Sequence, residues 1–440
     1  MTMSIAADRA PTERANIRRA VTAATIGTII EWFDYALYGA AAGLIINKLF
    51  FPQFSESAGV LAAFATFAVG FFSRPLGGIL ISHFGDRFGR KPALIFTIAL
   101  MGASTVAMGL LPTYAQVGIW APILLVVLRL LQGFGAGAEY AGAVTLVAEY
   151  VPAERKAYYT AYLQAATVVG IMLATLMFLI VSYLPEETLF GWAWRVPFLV
   201  SALLFFVALY IRQNLDETPE YVAAMERAAE RRLEAKVPLG ELFRKSPREL
   251  LFGFLSVTGH NANAYILSAF SLSYMTNTLG MTRTDALTAV MIATLTGIIM
   301  TPPMGAIADR IGHAKVYLFG AVFVLLYAFP MFALIDTKNV VLATLGLSIG
   351  YGIGFGGLAS AQGAFLANLF PTRYRFSGIA MTRELNSLLI AGPTPFIAAA
   401  LVSAGGGKPI WVVTYLMVCC GVTALSILAI RSRSYERGSE

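Results

Sequence analysis

Apolar runs of about twenty residues, each closed by a short polar turn, follow one another along almost the whole 440-residue chain. At 1.5 Å per residue such a run matches the ~30 Å hydrocarbon core of a bilayer. Twelve spans are predicted, near 20–47, 58–82, 93–112, 120–148, 157–183, 193–211, 249–276, 284–306, 316–335, 340–368, 377–402 and 409–430. The one long polar interval, 212–248, is charged and alanine-rich and reads as an amphipathic linker. The pattern therefore predicts an all-α membrane protein of twelve transmembrane helices, with a six-helix half over 1–211, a linker over 212–248 and a second half over 249–440.

An internal repeat supports the two halves. The turn after the second span, Gly85-Asp86-Arg87-Phe88-Gly89-Arg90-Lys91, has a counterpart at Ala308-Asp309-Arg310-Ile311-Gly312-His313-Ala314-Lys315. A second pair sets Ala148-Glu149-Tyr150-Val151-Pro152 against Ala367-Asn368-Leu369-Phe370-Pro371. Long repeats in an apolar chain are characteristic of secondary transporters. Asp86 falls at a helix C-terminus, where the dipole disfavours a carboxylate. It therefore needs a guanidinium such as Arg90 or Arg155, or the N-terminus of a helix in the other half, and such a contact would latch the halves together.

Composition narrows the class. A chain 58% hydrophobic and 13% charged, with mean hydropathy +0.70, is not a soluble globular protein. The net charge of +7 is dispersed over turns, which argues for topology rather than nucleic-acid binding. Lys and Arg collect on the side bearing both termini and the linker, whereas the other side holds Lys48, Arg283, Lys338 and Lys408. Both termini are thus expected to be cytoplasmic. Trp120, Trp192, Trp194 and Trp411 fall near outer ends of spans, as interfacial aromatics would. The adjacent Cys419 and Cys420 offer no disulfide or metal framework, and His83, His260 and His313 show no metal-ligand spacing. No nucleophile, metal or cofactor motif is evident, so neither an enzyme nor a cofactor is expected. The glycines at 133, 135 and 137, and at 352, 354, 356 and 357, read as helix-packing positions.

The charged turn resembles the signature of the major facilitator superfamily, with Ser82 standing where that signature opens on glycine. Glu31-Trp32-Phe33-Asp34-Tyr35, Phe72-Ser73-Arg74-Pro75-Leu76-Gly77-Gly78, Arg129-Leu130-Leu131-Gln132-Gly133 and Gly191 to Phe198 resemble its metabolite:proton symporter branch. That branch includes shikimate, α-ketoglutarate, citrate and proline/betaine carriers. The resemblance implies a monomeric inner-membrane protein whose partners are a small polar metabolite, the proton and the lipid bilayer.

Ionisable groups inside spans are costly and mark ion or substrate pathways. Asp34 and Arg129 reach similar depths in the first and fourth spans and are expected to pair. In related sugar:proton symporters the matching Asp carries the proton, which makes Asp34, with Glu31 and Glu139, the candidate coupling carboxylates. Arg129, Tyr35, His260, Asn261, Asn263 and Tyr265 are candidate substrate-binding residues. Asp86, Arg87, Arg90, Lys91, Asp309 and Arg310 are candidate gating residues, together with Arg383 and Glu384, which are expected to pair with each other. Arg74 reads equally as structural or functional. The expected function is proton-coupled import of a small organic anion. A zwitterionic osmolyte, an exporter or antiporter, and a membrane sensor are the alternatives.

Overall fold

In the computed structural model the backbone is described for residues 2–88, 90–137, 147, 151, 153–213, 239–370 and 375–437. Side chains are described for residues 21–22, 24–81, 95–137, 147, 151, 154–207, 242–370 and 377–430. The described residues form helices, turns and no strand. That is the outcome a bilayer demands, because a helix satisfies its own backbone hydrogen bonds without water.

Eight helices are long and apolar enough to cross a membrane: Ala24–Phe50, Glu56–Ile81, Lys156–Ser182, Arg283–Ile311, His313–Asp336, Val340–Leu369, Ser377–Ala404 and Ile410–Ile430. Shorter apolar helices at Ile95–Leu110, Trp120–Ala136 and Ala193–Val207 supply three more. The seventh span, Pro247–Tyr265 and the helical turns that carry it to Thr278, is less apolar because Thr258, His260, Asn261 and Asn263 interrupt it. These are the twelve expected spans, numbered one to twelve below. The even count puts both chain ends on one side of the bundle, the terminal side; the other is the distal side.

Side chains that face outward are predominantly large and apolar, including Leu76, Leu80, Leu203, Phe206, Ile299, Leu326, Phe329 and Leu425. On a soluble protein such a surface would aggregate; here it faces lipid. Trp120, Trp192 and Trp411 are more than half exposed, as expected of interfacial rings. Trp194 departs from that expectation. It is buried, packed edge-on against Phe50 and Phe198 with the Arg195 guanidinium 4.5 Å from its ring.

Spans two and four touch through their backbones. A Cβ on Gly133 would lie 1.7 Å from the Gly70 carbonyl oxygen, one on Gly77 1.9 Å from that of Phe134, and one on Gly137 2.0 Å from that of Arg74. Only glycine permits this approach. It matters because Arg74 and Arg129 sit on these two spans, and their separation is set by the glycine contact. The expected linker lies mostly outside the described residues; Leu239–Lys245 forms a short helix at its end.

Gly133→Ala is expected to cost about 3 kcal/mol or more, the upper end for overpacking, because backbone cannot yield as a side chain can. Thermal unfolding in detergent checks this against Gly191→Ala, whose Cβ meets nothing within 4 Å. Equal transition temperatures for the two variants would show that the spans part without cost.

Candidate functional site

Arg129 is fully buried on span four. One Nη donates to Gln132 Oε1 and the other to the Phe67 carbonyl oxygen at 2.8 Å. The guanidinium lies 4.2 Å from the Tyr38 ring centre, 5.3 Å from Phe67 and 5.4 Å from Tyr35. Gln132 also donates to Thr105 Oγ1 at 2.8 Å and faces the Asp34 backbone carbonyl at 3.5 Å. Asp34 is buried and accepts a 2.5 Å hydrogen bond from Ser201 on span six. The expected Asp34–Arg129 ion pair is therefore replaced by a relay. Gln132, one helical turn beyond Arg129, lies between them, accepting a hydrogen bond from the guanidinium and turning its amide N–H toward the Asp34 backbone carbonyl.

Arg74 holds the stronger charge contact. Its Nε donates to Glu384 Oε2 at 3.0 Å and its Nη2 to Glu384 Oε1 at 3.4 Å, a two-point contact between spans two and eleven. Glu31 Oε1 on span one lies 3.7 Å from the same Nη2. All three residues are buried. The expected pairing of Arg383 with Glu384 is thus corrected: neighbouring residues on a helix point about 100° apart, so Glu384 reaches Arg74 while Arg383 donates to Gln362 on span ten at 2.7 Å. Tyr35 is shared by the two arginines, with Arg74 5.2 Å from its ring centre and Arg129 5.4 Å.

Above this layer, toward the distal side, is a small internal cavity of about 20 Å³. It is bounded by Trp32, Tyr35, Phe67, Tyr265, Thr175 and Ser268, among others, from both halves. Such a volume admits one water and no metabolite. The Trp32 Nε1 and Tyr35 Oη atoms are buried without a hydrogen-bond partner among the described residues. Tyr265 packs edge-on against Phe67 and Phe71 with ring centres 5.7 Å away.

The other span-seven candidates divide. Asn261 donates to Asn386 at 2.7 Å, and Asn386 donates onward to Phe254 O and Thr258, so this pair clamps spans seven and eleven together. His260 and Asn263 are buried; His260 Nδ1 and Asn263 Nδ2 have no hydrogen-bond partner among the described residues. The His260 ring lies 5.2 Å from Phe355. Neither residue borders the central cavity.

On the terminal side the halves are joined. Asp309 at the end of span eight accepts from the backbone N–H groups of Ala157 and Tyr158, both at 2.9 Å, at the start of span five. This is the helix-N-terminus partner expected for such a carboxylate, where dipole and unsatisfied N–H groups favour negative charge. His313 adds a contact at 3.2 Å, and Arg310 is exposed. Deeper in, Gln164 donates to Gln362 at 3.4 Å. The side chains of Asp86, Arg87, Arg90 and Lys91, and all of Glu139, lie outside the described residues. On the distal side a wider cavity of about 440 Å³ opens between Lys48, Glu56, Glu186, Asn277 and Arg283. The halves meet there through the Glu186–Arg283 ion pair and a 2.7 Å bond from Asn277 to the Gly43 carbonyl.

Sequence reasoning missed Gln132, Ser201 and Gln362 and underrated Arg74. Arg74 carried a signal, an arginine inside an apolar run, as did Gln132, three residues beyond Arg129 on one helix face. Ser201 and Gln362 carried none, because uncharged polar residues are common in spans.

Two helical halves meeting around a small polar and aromatic cavity, with buried charges at their seam, define a membrane transporter rather than an enzyme. The Major Facilitator Superfamily model matches residues 24–391 and 253–437. The Shikimate transporter of Escherichia coli strain K12 is 35% identical over 415 residues, covering 94% of each chain. The Proline/betaine transporter of Salmonella typhimurium is 36% identical over 395 residues, 88% of this chain and 78% of that one. The crystal structure of a D-xylose-proton symporter superposes with a TM-score of 0.71 at 18% identity, over 94% of this chain and 96% of that one, a likeness of fold. The chain belongs to the major facilitator superfamily.

Asp309→Asn removes the charge that faces the start of span five. Hydrogen bonds to charged groups contribute about 1.5–3 kcal/mol, so closure of the terminal side should weaken by roughly 10- to 100-fold. A cysteine introduced at the buried Thr160, against Gly363 of the other half, should label correspondingly faster, with Cys419 and Cys420 replaced. Unchanged labelling in folded protein would show that Asp309 does not hold the halves together.

Proposed function

We propose that this transporter imports a small organic anion together with a proton, by alternating access between its halves 1–211 and 249–440, joined by the linker 212–248. The observation that carries the anion is Tyr35. Its ring lies against both buried guanidiniums, Arg74 and Arg129, and it borders the central cavity beside Trp32. Both side chains hold unpartnered donors among the described residues, which is a demand for an acceptor-rich ligand. A carboxylate meets that demand and gains from the two cations behind the ring. Arg129 then acts from behind Tyr35 rather than as a direct clamp, Tyr265 closes the cavity from span seven, and His260 and Asn263 are reserve donors on that span. Asn261, committed to Asn386, is a packing residue in this reading.

The proton reading rests on Asp34 and Glu31, buried carboxylates one turn apart on span one. A carboxylate in a low-dielectric site is costly when charged, so protonation is favoured whenever its partners are drawn elsewhere. Both termini are placed in the cytoplasm of a cell whose inner membrane the chain spans, and Asp309, with its repeat mate Asp86 and the basic residues Arg87, Arg90, Lys91 and Arg310, belongs to the cytoplasmic gate.

A zwitterionic osmolyte is the second reading. The proline/betaine relatives favour it, as does the ring cluster of Trp32, Tyr35, Phe67, Phe71 and Tyr265, since aromatic faces bind quaternary ammonium groups. Arg74 and Arg129 already lie over Tyr35, Phe67 and Phe71, which weighs toward the anion.

Proteoliposome uptake under an imposed pH gradient, with carboxylates and betaine compared, tests the choice. Tyr35→Phe should raise KM for the carboxylate by about 10-fold or more, the effect of a lost hydrogen bond to a charged group. Betaine uptake exceeding that of every carboxylate would select the zwitterion. Asp34→Asn should abolish accumulation against a gradient and retain counterflow at equal pH. Accumulation that survives in Asp34→Asn would remove Asp34 from the coupling step.

A further inference from the structure

We propose that Glu384 is a proton-binding site that controls the terminal-side gate, with Arg74 as the cation it releases. This goes beyond the transport reading and rests on it only for the benefit that proton entry confers on import.

Three observations lead there. Arg74 and Glu384 come from opposite halves, and their two-point contact at 3.0 and 3.4 Å lies on the terminal side of the central cavity. Opening that side must separate them. Secondly, Arg74 has a second carboxylate in its own half: Glu31 Oε1 lies 3.7 Å from Nη2, within ion-pair reach but beyond a hydrogen bond. Thirdly, the pair is buried beneath Gly392 of span eleven, whose Cβ would lie 2.8 Å from the Phe71 ring of span two, so the seam around it is tight.

The charge states then order the gate. Parting an ionised Glu384 from Arg74 leaves an uncompensated buried carboxylate, which a buried pair resists strongly. Arg74 does not share that difficulty, since Glu31 remains in its own half to receive it. A proton on Glu384 removes the obstacle: the neutral acid no longer holds the guanidinium, Arg74 moves onto Glu31, and the terminal side opens. Loss of the proton restores the bond and closes it. Protonation therefore favours opening on the terminal side, the sign needed when proton and substrate leave together there.

The charged and titratable groups around this pair are Glu31 and Tyr35 of span one, Arg129 of span four behind Tyr35, Tyr265 and His260 of span seven, and Arg383 of span eleven. Asp34 is turned to Ser201 of span six. Arg383 is held by Gln362 of span ten. Among the described residues the two-point bond across the halves at this level belongs to Arg74 and Glu384.

The test reads the gate without substrate or gradient, as thiol labelling of Thr160→Cys in purified full-length protein with both native cysteines replaced and His313→Asn added, so that no imidazole charge acts on Asp309. Each rate is divided by that of the unfolded protein at the same pH, because the thiolate is the reacting form. With Glu384 intact, labelling should quicken as pH falls. In Glu384→Gln it should be at least 10-fold faster than in the parent at pH 8 and independent of pH. In Glu31→Gln it should stay slow at pH 8, because the bond between the halves remains. If Glu384→Gln does not fold, Glu384→Asp serves: its shorter side chain weakens the pairing that favours the charged form, so the labelling midpoint should move to higher pH. Parent-like labelling in Glu384→Gln, persisting pH dependence in that variant, or an unmoved midpoint in Glu384→Asp would each overturn the proposal. Proteoliposome uptake separates the two readings. Uptake indifferent to the pH gradient, with labelling as expected, removes symport and keeps the proton-opened gate; gradient-driven uptake with unchanged labelling removes the gate and keeps symport.

Discussion

A charge inside a bundle wrapped in lipid must find its partner inside the bundle. Bulk water cannot reach it, and an ionised group left alone in a low-dielectric interior costs more than most single interactions supply. The interior of this transporter is arranged by that requirement. Arg129 is enclosed by Gln132, a backbone carbonyl and three rings; Asp34 is turned to Ser201; Arg74 is held by carboxylates from two spans. Each solution differs in kind. The hydrogen bonds that Arg129 makes lie within its own half. Arg74 is satisfied across the seam, so its contact changes whenever the halves move.

The close approach of spans two and four is what brings these two arginines to one tyrosine. With backbones in contact at Gly70, Gly133 and Gly137, no side chain separates the helices, and Tyr35 of span one packs against both guanidiniums. Like charges held near each other repel, and the carboxylates on Arg74 offset the repulsion. The result is a layer of charges, partly paired, behind a cavity whose own rim is aromatic and neutral.

The two ends of the bundle are closed by different chemistry. On the terminal side the contacts are buried and directional: Asp309 on two backbone N–H groups, Arg74 on Glu384, Gln164 on Gln362. On the distal side the Glu186–Arg283 pair is largely exposed at its carboxylate, and a cavity of about 440 Å³ lies beside it. Exposed pairs contribute little net stability. Among the described residues the contacts between the halves are therefore firmer toward the termini than away from them.

Much of this was legible in the chain. Span number and the family followed from apolar run length and from motifs, because the bilayer imposes one length on every helix and strips away the alternatives. That the carboxylate of the repeated turn would need a guanidinium or a helix N-terminus followed from the place of Asp86 at a helix C-terminus, and its repeat mate Asp309 has the second. Pairing inside the bundle was not legible. Depth along a helix is a one-dimensional quantity, and it matched Asp34 to Arg129 correctly in height; whether two side chains at one height meet depends on helix rotation and on what lies between. Gln132 lies between them, and Arg383 and Glu384, neighbours in sequence, point to different spans. The sequence by itself determined which groups would be buried and charged. Only the tertiary structure decided which of them touch, because rotation about each helix axis is set by packing against every neighbour at once.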